Sequence, residues 1–153
     1  MTRVLALALA AVASLSGVAG ADDDLCLGCH SGGALEEPRL DVKTGLLEAS
    51  VHGKASVACT DCHAALAGVE DFPHGDAGPV DCGICHGEIS SVYDRSLHGQ
   101  EARKGIALAP RCTTCHGSHD VASASDPAAK VARPRIPFLC GSCHKEGTPV
   151  TRT

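Results

Sequence analysis

Cys112-Thr113-Thr114-Cys115-His116-Gly117-Ser118-His119 is the stretch whose reading decides the fold. It opens with C-x-x-C-H, the pattern that attaches a c-type haem. Two thiols add to the vinyl groups of a porphyrin, and the adjacent imidazole of His116 reaches the iron from one face. His119, three residues on, is a candidate ligand for a second iron. The pattern recurs four times, at Cys26-Leu27-Gly28-Cys29-His30, Cys59-Thr60-Asp61-Cys62-His63, Cys82-Gly83-Ile84-Cys85-His86 and Cys140-Gly141-Ser142-Cys143-His144. All ten cysteines are used, and each pair is followed at once by histidine. Five covalently bound haem c groups are therefore expected.

Other uses of ten cysteines explain less. A disulfide framework suits an even cysteine count in an exported chain, but gives no reason for five histidines at one offset. Structural zinc takes thiolates in fours, which leaves one pair over. A thioredoxin-type redox pair wants one C-x-x-C in a βαβ pattern, and that pattern is absent.

Met1-Thr2-Arg3 is followed by an apolar run from Val4 to about Val18, and Ala19-Gly20-Ala21 has the small-x-small form of a signal-peptidase site. Residues 1–21 are read as a Sec-type signal peptide, and 22–153 as a single haem domain in the periplasm, with the extracellular surface as a further destination. Ser14, Ser16 and Gly17 leave the run short of the about 20 apolar residues of a membrane span, and no later segment qualifies. Loss of Arg3 takes the formal net charge from −5 to −6. An acidic chain disfavours nucleic acid as a partner.

Without its leader the 153-residue chain has 132 residues for five porphyrins. It has one Tyr, two Phe and no Trp. So little apolar bulk cannot build a core of its own. The porphyrins must supply it, with Leu40, Val42, Leu46 and Leu47 among the side chains that cover them. Seventeen glycines and eight prolines suit a wrapping chain. The expected fold is mostly irregular with short α-helices, wrapped around stacked haems, with little or no β-sheet. Ile89, Val92, Tyr93 and Leu97 predict a helix over 87–97 with Gly99 as its stop. A helical turn or two is expected over 126–132, broken by Pro134 and Pro137. Each C-x-x-C-H should take a helical turn or two.

His30, His63, His86, His116 and His144 are assigned as proximal ligands, which leaves His52, His74, His98 and His119 as distal ones. Three of these four precede glycine, which would let the backbone pass close to a porphyrin plane. Two imidazoles close both faces of an iron, and without a methionine ligand its potential is low. Four distal histidines for five irons leave one iron short. Lys43, Lys54, the mature amino terminus, a partner's residue or water is a candidate for the gap. All four spare histidines follow residue 50, alongside four motifs, so the haem on Cys26 and Cys29 is expected to be the irregular one.

From Ser50 to Gly147 the chain resembles the small, low-potential tetrahaem cytochromes of class III, and is similar to the tetrahaem domain of flavocytochrome fumarate reductases. The residues that carry this are Cys112 to Asp120, where the motif is followed by x-x-His-Asp, and Cys140-Gly141-Ser142-Cys143-His144-Lys145-Glu146-Gly147. The resemblance implies closely packed bis-histidine haems and a periplasmic electron relay. Its partners would be a membrane quinol dehydrogenase, other cytochromes and a terminal reductase. The chain departs from the pattern by its motif at Cys26 and by its histidines between residues 64 and 98. It has no flavin domain, so fumarate reduction is not implied. The rival readings are a reductase with one open iron, and a filament subunit whose neighbour's histidine completes the first haem.

Overall fold

The structure, a computed structural model, describes residues 21–151; the expected signal peptide, except Ala21, lies outside them. Helix α1 (Ala21–His30) carries the first motif at its C-terminal end. A 3-10 turn over Pro38–Leu40 leads to α2 (Thr44–Ala49) and α3 (Val51–Lys54). Helix α4 (Cys59–Cys62) holds the second motif, and a 3-10 turn over Cys82–Ile84 holds the third. Helices α5 (Gly87–Arg95) and α6 (Leu97–Arg103) follow, then α7 (Cys112–His116) with the fourth motif. A 3-10 turn over Arg133–Arg135 runs into α8 (Ile136–His144), which ends on the fifth. The described residues contain no strand, as expected for a helix-and-coil chain. None of their helices is long and apolar enough to cross a membrane.

Three sequence expectations change. The helix predicted over 87–97 ends at Arg95, and Gly99 lies inside the next helix instead of stopping the first. Residues 126–132 form turns without a helix. Pro134 and Pro137 open their elements instead of breaking one. A first-turn proline lacks only an N–H that has no helical partner anyway.

Two corners share one construction. Ser50 separates α2 from α3, and its Oγ accepts from Gly53 N–H at 2.9 Å. Ser96 separates α5 from α6; its Oγ accepts from Gly99 N–H at 3.1 Å and donates to Tyr93 O at 2.6 Å. Each serine thus caps a helix N-terminus whose N–H groups would otherwise lack partners. A Cβ on Gly53 would stand 2.1 Å from Leu47 O, and one on Gly99 2.2 Å from Tyr93 O. These glycines let the second helix of the corner lie against the backbone of the first. That is a nearer reason for them than the passage of a porphyrin. His52 and His98 sit one residue before them, so both are aimed by a rigid corner.

Gly99→Ala is therefore expected to lower stability by about 1–3 kcal/mol, the usual cost of overpacking. Nothing lies within 4 Å of a Cβ on Gly75, so Gly75→Ala, beside His74, should melt like the parent. Thermal unfolding of the two holoproteins checks the contrast, and equal melting of both variants would refute the corner's role.

The polypeptide makes almost no core. Among the described residues the buried apolar side chains are Ala129 and Ala132, while Ile84, Ile89, Leu97 and Phe138 are 63–80% exposed. Burying a residue of that size gains about 1.5–3 kcal/mol. A fold that leaves such side chains uncovered is shaped around something besides itself.

Candidate haem-binding site

Local hydrogen bonds organise the motif segments. Ala58 N–H donates to Asp61 Oδ2 at 2.9 Å, and Arg111 N–H donates to Thr114 Oγ1 at 3.0 Å. In both helices the residue before the second cysteine reaches back to the helix start, one half of a capping box. Gly83 N–H donates to Asp81 Oδ1 at 2.8 Å and starts the third motif's turn. Cys59 N–H donates to Asp23 Oδ1 at 2.9 Å, which ties the second motif to α1.

Eight of the nine histidines face one another in four pairs. Ring centres lie 5.7 Å apart for His30 and His74, 6.0 Å for His52 and His86, 6.3 Å for His63 and His119, and 5.9 Å for His98 and His144. Each pair joins one motif histidine to one of the four spare histidines. A metal bonded at about 2 Å to a nitrogen of each ring separates the two ring centres by about 6 Å, so the pairs fit an iron between them. The first motif has its opposite ring in His74. The motif left without one is the fourth, at His116. The rings thus fall differently from the expectation that the haem on Cys26 and Cys29 is the irregular one. Proximity along the chain suggested that assignment, but the 67–80 loop returns His74 to the first motif.

The donor chemistry agrees. His30 Nδ1 contacts Leu40 O at 3.0 Å and His74 Nδ1 contacts Gly75 O at 2.7 Å. A carbonyl at Nδ1 holds its proton and leaves Nε2 unprotonated for a metal. Burial holds the pKa of His63 below the usual imidazole value, helped by His119, His30 and His74, so the ring is kept neutral, the form that binds metal. His63 Nδ1 is buried with no protein partner.

None of the ten cysteines forms a disulfide, and the described residues hold no cluster of three or more His, Cys, Asp or Glu suited to a bare metal ion. The disulfide and zinc readings gain nothing from the structure. The thiols of successive motifs are nonetheless neighbours. Burial, then Asp23, then Cys26 push the pKa of Cys59 up to about 12. Cys62 is raised by burial, Asp61 and Cys85, and Cys82 by burial and Cys112. Burial followed by Cys140 and Cys143 raises Cys115. Each motif thus has thiols near those of the next in sequence order.

A cavity of about 590 Å³ separates the 39–46 segment from the 113–120 segment, and Arg39, Lys43, His119 and Lys130 are among its walls. Lys43 pairs with Asp41, and Lys130 lies 3.7 Å from Asp120. Asp41 and Asp120 line the same cavity, and sequence reading missed this mixed charged lining because Arg39 and Lys130 lie far apart along the chain.

A family model for cytochrome c3 matches residues 51–145. No curated protein was found to match the chain, and no solved structure either. The match spans the second to the fifth motif, and with the motif repeats and the absence of strand among the described residues it shows that the chain belongs to the cytochrome c3 family, multihaem electron-transfer proteins whose haems are bound covalently.

Proposed function

We propose that the chain is a periplasmic pentahaem electron relay, exported by the leader at residues 1–21 and folded as one domain over residues 22–153. The four imidazole pairs are the observation that carries this reading. Cys26 and Cys29, Cys59 and Cys62, Cys82 and Cys85, Cys112 and Cys115, and Cys140 and Cys143 hold the porphyrins. His30, His63, His86, His116 and His144 are their proximal ligands, and His74, His119, His52 and His98 close the first, second, third and fifth irons.

Bound haem supplies one-electron exchange between ferrous and ferric iron. The protein's own work is spacing, ligation and exclusion of solvent. Paired imidazoles keep water and substrates from four irons, and the absence of a methionine ligand keeps potentials low. Ile84, Ile89, Val92, Leu97 and Phe138, exposed in the polypeptide alone, cover porphyrin faces. Arg39 offers charge to a porphyrin carboxylate at the cavity it lines, where Lys43 and Lys130 are already paired with Asp41 and Asp120. Because each motif neighbours the next, the haems form a row, and electrons enter and leave at its ends, the Cys26 side and the Cys140 side. The chain's acidity suits redox partners with basic docking faces, such as a membrane quinol dehydrogenase, other cytochromes and a terminal reductase.

A haem count with a potentiometric titration tests the reading. Five haems per chain and five one-electron steps, all at low potential, are expected from the protein isolated from the periplasmic fraction. Four haems or fewer, or a high-potential step, would overturn it.

A further inference from the structure

We infer that the haem held by Cys112, Cys115 and His116 keeps one iron face free, and that this face binds small diatomic ligands: carbon monoxide or nitric oxide when ferrous, cyanide when ferric. The inference rests on the haem reading above and locates within it the one iron that differs from the rest.

All nine histidines lie among the described residues, and eight of them are spent on one another. His116 has no imidazole opposite it within that set, and its side chain is exposed on the polypeptide surface. The one methionine is residue 1, at the head of the expected leader. Three of the lysines are engaged elsewhere: Lys43 with Asp41, Lys104 with Glu101 and Lys130 with Asp120.

Assembly of like subunits does not close the gap. Every copy brings nine imidazoles to ten axial positions, so a histidine lent to one iron is taken from another. Polymerisation through histidine exchange therefore loses the reason that made it attractive.

The site is also inside the row and not at its end. Cys112 neighbours Cys82 of the third motif, and Cys115 neighbours Cys140 and Cys143 of the fifth. A ligand arriving there meets an iron that can be reduced from either side. Tyr93 stands beside it: Cys112 and Cys115 both bear on its hydroxyl, which donates to Pro110 O at 2.6 Å. The tyrosine oxygen is thus held by the backbone and is not free to be the missing ligand.

The test uses the purified holoprotein, reduced and titrated with carbon monoxide under absorbance. One equivalent per five haems is expected, and the oxidised protein should show one high-spin ferric EPR signal that cyanide abolishes. The double variant Cys112→Ala/Cys115→Ala should carry four haems and bind no carbon monoxide. Should that variant not accumulate, NMR of the reduced parent with isotope-labelled histidine locates the site. His116 ring resonances are expected to be paramagnetically shifted before carbon monoxide and diamagnetic after it.

Five haems with no carbon monoxide uptake, as a lysine-ligated fourth iron would give, overturns the inference and leaves the relay standing. Uptake that survives in the four-haem variant, or that moves another histidine's resonances, overturns it as well. Fewer than five haems in the parent overturns the haem reading beneath both.

Discussion

Replacing His98 by alanine is expected to raise carbon monoxide uptake of the reduced holoprotein by one equivalent over the parent, with one low-spin ferric EPR signal exchanged for a high-spin one. The ring of His98 stacks at 28° and 5.9 Å on that of His144, and no other histidine faces His144. On the proposed ligation, its removal leaves the fifth iron with a single protein ligand. The fold should tolerate the loss, because His98 is exposed and its corner is built by Ser96 and Gly99. Added imidazole should restore the low-spin signal by entering the space the side chain vacated. The same exchange is expected for His74→Ala at the first iron, which residue order alone would have left without a histidine. An unchanged uptake in His74→Ala would dissolve the pairing of His30 with His74.

The second large effect concerns the chain without its cofactor. Produced where haem is not attached, the polypeptide should show a far-UV circular dichroism of coil, with no cooperative thermal transition. Among the described residues the buried apolar side chains are two alanines, whose burial is far too little to offset an ordering cost of about 1–2 kcal/mol per residue. Its helices run from four to ten residues, below the about 12–15 at which an isolated helix becomes marginal in water. Each motif helix is tied locally, as Asp61 ties α4 and Thr114 ties α7, but such ties do not join one segment to another. Binding of the cofactor therefore supplies the folding free energy, as metal does in small metal-stapled domains. A helical spectrum and a cooperative melt from the haem-free chain would contradict this account.

Much of this is legible in the order of the residues. Five copies of C-x-x-C-H with nothing left over declare covalent haem, because those thiols and that imidazole are consecutive in the chain and need no tertiary fold to be brought together. The shortage of large apolar residues implies the absence of a polypeptide core and of sheet. Local pattern is less secure at the boundaries. The apolar spacing of Ile89, Val92, Tyr93 and Leu97 runs through Ser96 unbroken, although Ser96 caps a new helix. Gly99 reads as a stop, because one-dimensional pattern cannot register that Tyr93 O lies 2.2 Å from where its side chain would be.

What the sequence determined by itself is the pattern of the site: ten cysteines in five motifs, a histidine after each pair, and a chain poor in large apolar residues. Only the tertiary structure decided which second imidazole meets which first one, and hence that His116 is left single while His30 is not. Motif spacing carries attachment because it is a property of neighbouring residues. Axial pairing is a contact through space between residues dozens of positions apart, set by how the 67–80 loop and the Ser50 and Ser96 corners turn the chain back on itself.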